Sequence, residues 1–225
     1  MKHNYLFAMV ALLLSGAALL PLTSNGQIEY VDLGLPSGTL WANMNVGATQ
    51  ESDSGFYYQW GDTVTRKADF SWKNYKWCNG TQQHMTKYCT DSTYGDVDNK
   101  LVLDLLDDAG ALAANVGSPT KAEFDELLDK KLCKWTLDTV NDRKGARVTG
   151  PNGNSIFLPA YGFRTGTRVS SNNLAGCYAT NTLKDAPARY NYNSYVVRFG
   201  VSRTGVSIDS RDHNGSGYVP SNYGY

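Results

Sequence analysis

Histidine is nearly absent from this chain of 225 residues: His3, His84 and His213 are the only three. No Gly-x-Ser-x-Gly elbow accompanies them, and His213 sits in the turn-like stretch RDHNGSG, so no Ser or Cys nucleophile has a legible base. Surplus charge is missing too. Lys and Arg number 21 and Asp and Glu 21, which leaves no electrostatic footprint for nucleic acid. No polybasic run marks a membrane surface, and no glycine-rich phosphate loop opens a helix. The cysteines include no Cys-x-x-Cys pair, which with so little histidine argues against zinc. Asp91, Asp96 and Asp98 gather carboxylates at a spacing Ca²⁺ can use, but the D-x-D-x-D-G loop is missing and acidic turn residues are the simpler reading. No cofactor or metal is expected.

The one long apolar run stands at the N-terminus. Lys2 gives it a positive start, Leu6 to Leu20 is apolar apart from Ser15 and Gly16, and Pro21 ends it. Ser24 and Gly26 place small residues before a cut at Gln27, so 1–26 reads as a signal peptide. The run falls short of the ~20 residues a spanning helix needs. No Cys follows the cut, which disfavours a lipid anchor. The mature chain, 27–225, is expected as one exported domain, periplasmic, surface-bound or secreted, without membrane insertion; 41% apolar residues suffice for its core. Export invites disulfides among Cys78, Cys89, Cys133 and Cys177; three pairings exist, and four separate thiols are the alternative.

Strand pieces surround the turn LPSG near Tyr30 and Leu40–Ala42, and a long polar and aromatic stretch from Arg66 to Lys100 reads as loop. KLVLDLLDDAGALAAN has helical composition, with Leu101, Leu105 and Leu106 on one face and Asp104, Asp107 and Asp108 as a solvated one. In SPTKAEFDELLDKKL, Thr120 and Glu123 form a capping box, Phe124, Leu127, Leu128 and Leu132 share a face, and Lys130 and Lys131 close the helix. Short strands with Gly between them follow, and Asn152-Gly153 signals a hairpin. Helices early and antiparallel strands late predict an α+β fold.

YVDLGLPSGTLWANMNVGA, GFYYQWGD, PTKAEFDELL and GPNGNSIFLPAYGFRTG resemble the Fibrobacter succinogenes major paralogous domain family, in order over nearly all of 30–220. The resemblance implies export from a gut-type bacterium and a C-type lectin-like fold, related to formylglycine-generating enzymes and to the variable proteins of diversity-generating retroelements. Two helices would flank small twisted antiparallel sheets, and the last strands and loops would carry the ligand face. Departures fall at Val116-Gly117-Ser118, at Tyr178-Ala179-Thr180-Asn181 and at Gly217-Tyr218-Val219-Pro220-Ser221, where family members carry a Trp and two Arg. The Glu-Pro-Asn or Gln-Pro-Asp triplet of calcium-dependent sugar-binding lectins is missing, and Cys177 is the single late cysteine, whereas formylglycine chemistry uses a pair.

The C-terminal part is rich in Tyr, Asn, Ser, Gly and Arg, the composition of an adaptable contact surface. Candidate ligand-binding residues are Asn172, Asn173, Tyr178 and Asn181, then Tyr190, Tyr192, Asn193 and Tyr195, and finally Arg203, Asp209, Arg211, Asp212, Asn214 and Tyr218. Alternation in SYVVRFG and GVSIDSR predicts one inward and one outward face, with Val206 and Ile208 inward. The expected function is non-enzymatic recognition of a glycan or protein on a cell surface, with diversification of the tail as a corollary. An adhesive structural subunit and a formylglycine-type enzyme are the alternatives.

Overall fold

The computed structural model describes residues 27–65, 69–114, 117–184, 194–203, 205–209 and 223–224; the signal-peptide reading of 1–26 lies outside them. Strands β1 (Tyr30–Asp32) and β2 (Leu40–Ala42) pair antiparallel around LPSG. Gly38 closes that turn with φ +70° and an N–H donated to Leu35 O at 2.9 Å. The turn is pinned across the molecule, because Ser37 Oγ donates to Glu126 Oε2 at 2.7 Å.

Among the described residues from 43 to 108 no strand forms, which agrees with the loop reading over 66–100. Side chains replace the missing ladder. The Asp98 carboxylate accepts from the backbone N–H of Tyr88, Cys89 and Lys100, and Asp91 accepts from that of Thr93. Two small cores stiffen the region: Tyr75, Met85 and Cys89 form one, and Trp60, Tyr88 and Leu183 the other.

The helix expected over KLVLDLLDDAGALAAN is mostly something else. Residues 101–104 run extended, Leu105–Asp107 make one 3-10 turn, and α1 occupies only Ala109–Ala114. Tertiary hydrogen bonds override composition here: Leu103 N donates to Asn181 O at 3.0 Å and Leu183 N to Leu101 O at 2.7 Å. Leu105 and Leu106 are 72% and 76% exposed and form no core face. The acidic face is corrected as well. Asp107 and Asp108 are buried, and Asp108 accepts from Gly110 N, Ser118 N and Ser118 Oγ, which fastens the start of α1 to the chain after it.

Helix α2 (Lys121–Leu128) follows its sequence signature. Glu123 N donates to Thr120 Oγ1 and Thr120 N donates to Glu123 Oε2, the reciprocal capping box. Phe124 and Leu127 are buried, with Leu128 and Leu132 packed beside them. Lys130 and Lys131 lie past the cap at Asp129, so they do not close the helix as expected.

The strands come next. β3 (Lys134–Val140), β4 (Arg143–Thr149) and β5 (Ser155–Pro159) form one antiparallel sheet. Asn141 and Asp142 turn β3 into β4 with φ +46° and +62°, which the right-handed strand twist favours. Gly153, at φ +89°, sits in the expected turn between β4 and β5. β6 (Phe163–Thr165) and β7 (Arg168–Ser170) form a second sheet with β11 (Tyr223–Gly224). β8 (Ala175–Leu183), β9 (Ser194–Val201) and β10 (Val206–Asp209) form a third. The fold is therefore α+β, mostly small antiparallel sheets with few helices. Leu127, Val148, Ile156, Val197 and Phe199 belong to its largest core. Gly176 has to lack a side chain, since a Cβ there would stand 2.3 Å from the Phe199 ring. No described helix is long and apolar enough to cross a membrane.

Replacing Thr120 by Ala removes the capping acceptor and is expected to cost about 1 kcal/mol. Urea denaturation should show a lower midpoint with unchanged slope, and Thr120→Ser should restore most of the loss.

Candidate functional site

Strand β9 alternates as its sequence predicts. Val197, Phe199 and Val201 are buried, and Val206 of β10 packs on the same core. Tyr195 has the same parity as these residues, so it faces α2 rather than the outward side assumed for the tail. Tyr178 pairs with Val197 and shares the inward face. Its ring stacks on Phe199 at 6.2 Å and its hydroxyl donates to Pro159 O at 2.9 Å. Tyr178 is thus half-buried, with its hydroxyl fastened to the backbone.

The β8–β9 register breaks between Ala179↔Val196 and Leu183↔Ser194, so Thr180, Asn181 and Thr182 stand opposite Tyr195 alone. This bulge turns backbone groups of β8 away from β9. Asn181 N donates to Pro119 O, and Asn181 O accepts from Leu103 N. The Asn181 carboxamide is half-buried and accepts from Thr182 Oγ1.

Asn172 and Asn173 also serve the fold. Asn172 Oδ1 accepts from Arg143 Nη1 at 2.8 Å, and Asn173 Oδ1 from Lys144 N at 3.1 Å, which ties the β7–β8 turn to the start of β4. Asn173 takes φ +62°, a conformation Asn tolerates better than most residues. Arg203 is exposed in the β9–β10 turn. Asp209 pairs with Arg198 in the ladder. Tyr190, Tyr192, Asn193, Arg211, Asp212, Asn214 and Tyr218 lie outside the described residues.

What the structure does build beside Tyr195 is a groove of about 410 Å³ between α2 and β9. Lys121, Asp125 and Asp129 line it from the helix, and Tyr195 and Val196 from the strand. Lys121 Nζ pairs with Asp125 and lies 5.1 Å from the Tyr195 ring centre. The helix residues escaped the sequence reading, although their four-residue spacing puts them on one helical face. The aromatic half of the groove was legible as Tyr195. Only the packing of α2 on this sheet joins the two.

A second polar cluster lies under the irregular region. Asp107, 3% exposed, receives Lys76 Nζ at 2.8 Å, Lys87 Nζ at 2.5 Å and the Tyr88 hydroxyl at 2.7 Å. Burial alone would raise its pKa, but the two ammonium groups and the phenol outweigh that and hold the carboxyl below the usual aspartate range. Burial also works against the Lys87 charge, yet Asp104 and Asp107 keep that ammonium well above an ordinary lysine. The Tyr88 phenol is pushed up to about 12, chiefly by burial. These groups are locked in fixed charge states near neutrality, which suits anchoring and not proton transfer.

No disulfide joins the cysteines. Cys78 Sγ donates to Trp72 O and Cys89 Sγ to Asp91 O, each at 3.1 Å, and Cys133 and Cys177 are buried thiols. The disulfide expectation gives way to its alternative, four thiols held by carbonyls and apolar packing. Burial pushes the Cys177 thiol up to about 12, with Arg198 pulling weakly the other way, so little thiolate is present near neutral pH. Among the described residues no three His, Cys, Asp or Glu side chains gather as a metal group. Comparison with protein-family models, curated proteins and solved structures finds no match to this chain.

Asp107→Asn takes their shared anion from the exposed Lys76 and the half-buried Lys87, which keeps Asp104, and disturbs the buried Tyr88 hydroxyl; the expected cost in denaturant melts is about 1–3 kcal/mol. The native carboxyl titrates below its unfolded value. Its contribution is therefore full above the ordinary aspartate range and fades as pH falls through the lower native value. Wild-type stability should drop over that acid range, and the Asn variant should show a shallower drop.

Proposed function

We propose that the protein is an exported, non-enzymatic recognition protein of C-type lectin-like fold that binds a glycan in the groove between α2 and β9. The sequence supports export through its N-terminal run and supports this fold through the family resemblance. Small antiparallel sheets with two short helices and a long irregular region are compatible with it. The groove between α2 and β9 carries the functional reading. An aromatic face at Tyr195 beside the Lys121 ammonium and the carboxylates of Asp125 and Asp129 offers a sugar both a stacking surface and hydroxyl partners. A protein ligand is less suited to so small and polar a furrow. The single late cysteine, Cys177, which is buried, speaks against formylglycine-type chemistry.

A second reading draws on Leu105, Leu106 and Leu112, which are exposed around the start of α1. Apolar side chains grouped in this way suit a subunit that packs against another chain. Light scattering on the mature protein separates the two readings: a stable oligomer favours the adhesive subunit, and a monomer favours free recognition.

On a broad glycan array the wild type is expected to bind a restricted set of sugars. Tyr195→Ala should weaken binding at least tenfold while melting cooperatively. Absence of any glycan ligand for the wild type would sink the proposal, and unchanged binding by the variant would move the ligand away from the groove.

A further inference from the structure

A cleft of about 300 Å³ opens elsewhere, between β2, the segment 54–62, β5 and the middle of β8. Its size falls within the ~300–1,000 Å³ of small-molecule sites. Trp41, Tyr57, Tyr58, Trp60 and Tyr178 are among its walls. Most of their polar atoms are already committed to backbone. Tyr57 donates its hydroxyl to Tyr161 O at 2.9 Å, Tyr178 to Pro159 O at 2.9 Å, and Trp60 its indole N–H to Thr180 O at 2.8 Å. With these edges fastened, the wall is stiff and largely apolar.

Of the two indole groups, Trp41 is the exception. It lines the cleft, is 6% exposed and packs edge-on against Phe124 at 5.3 Å, but its buried indole N–H has no acceptor among the described residues. A buried donor without a partner is costly and rare, and a ligand acceptor would relieve it. The charges of the lining narrow the ligand. Asp62, Asp107 and Glu123 contribute carboxylates, and no Lys or Arg lines the described cleft. Those carboxylates are themselves engaged, Asp107 by two lysines, Glu123 by Thr39 and Thr120, and Asp62 by Val64 N. An anionic ligand would find no counter-charge, and a sugar would find few free partners for its hydroxyls. At the mouth, Tyr30, Leu40 and Phe56 leave 41%, 55% and 52% of their surface in water.

We propose that this cleft binds a neutral, mainly apolar small molecule whose ring lies among the aromatic walls and whose single carbonyl or ether oxygen accepts from the Trp41 indole N–H. The site meets the groove beside Tyr195 only at Phe124 and Thr180 and does not depend on the glycan reading.

The test uses the mature protein and an uncharged propionyl-dimethylaminonaphthalene dye, an aromatic ketone whose emission shifts to the blue on leaving water. Saturable one-to-one binding is expected, with Trp41→Phe weaker by about fivefold through loss of one hydrogen bond. In a nitrogen–proton correlation spectrum, the indole resonance that Trp41→Phe deletes should move on addition of the dye. Naphthoate, the same ring with a carboxylate, should bind at least tenfold more weakly, and Tyr195→Ala should leave dye affinity unchanged. Lack of saturable binding by the wild type would overturn the proposal. So would equal affinity for naphthoate, or an indole resonance that stays still while the dye binds. If Trp41→Phe does not fold, the wild-type spectrum and the naphthoate comparison still decide.

Discussion

The described structure turns on the irregularity near the end of β8. A regular ladder would spend the backbone groups of residues 180–182 on β9. The bulge instead presents them to chain segments that form no sheet of their own. Thr180 O holds the Trp60 indole, Asn181 O holds Leu103, Asn181 N reaches Pro119, and Leu183 N reaches Leu101. Three distant stretches, at Trp60, at Leu101–Leu103 and at Pro119, are thereby moored to one strand. The polar, aromatic region of residues 43–108 becomes ordered because β8 accepts it, and it has no alternation with which to order itself.

Charge completes what the bulge begins. Asp107 lies where the extended run 101–104 turns toward α1, and it gathers Lys76 and Lys87 from the irregular region. Lys87 Nζ also lies 4.6 Å from the Trp77 ring centre and 4.8 Å from that of Tyr88. One buried carboxylate thus binds two lysines and a tyrosine in fixed charge states. Such a cluster specifies one arrangement of an otherwise under-determined segment. The two candidate sites flank the same strand: the groove holds Thr180 and Tyr195, and the cleft holds Cys177 to Thr180.

Legibility followed the range of the interactions. The capping box of Thr120 and Glu123 and the strands β3, β4, β5, β8, β9 and β10 were readable because their signals span a few residues. The acidic helix over 100–115 was not, because hydrogen bonds from Asn181 and Leu183, far along the chain, set its backbone. The tail residues divide in the same way. Asn172 and Asn173 resemble contact residues by type, yet their carboxamides meet Arg143 and the Lys144 backbone. Tyr178 looks like a paratope tyrosine in the sequence and is half-buried in the fold, with its hydroxyl fastened to the backbone.

By itself the sequence determined the α+β class, the second helix with its cap, and the two-residue alternation of β9, since local hydrogen bonding and a period of two suffice for these. Only the tertiary structure decided that Asp107 would be buried among lysines, that the cysteines would stay thiols, and that Tyr195 would meet α2. The first and last of these follow the β8 bulge, which holds the run leading to Asp107 and stands opposite Tyr195. A bulge is set by packing between strands distant in the chain, so the residues inside it carry no local mark.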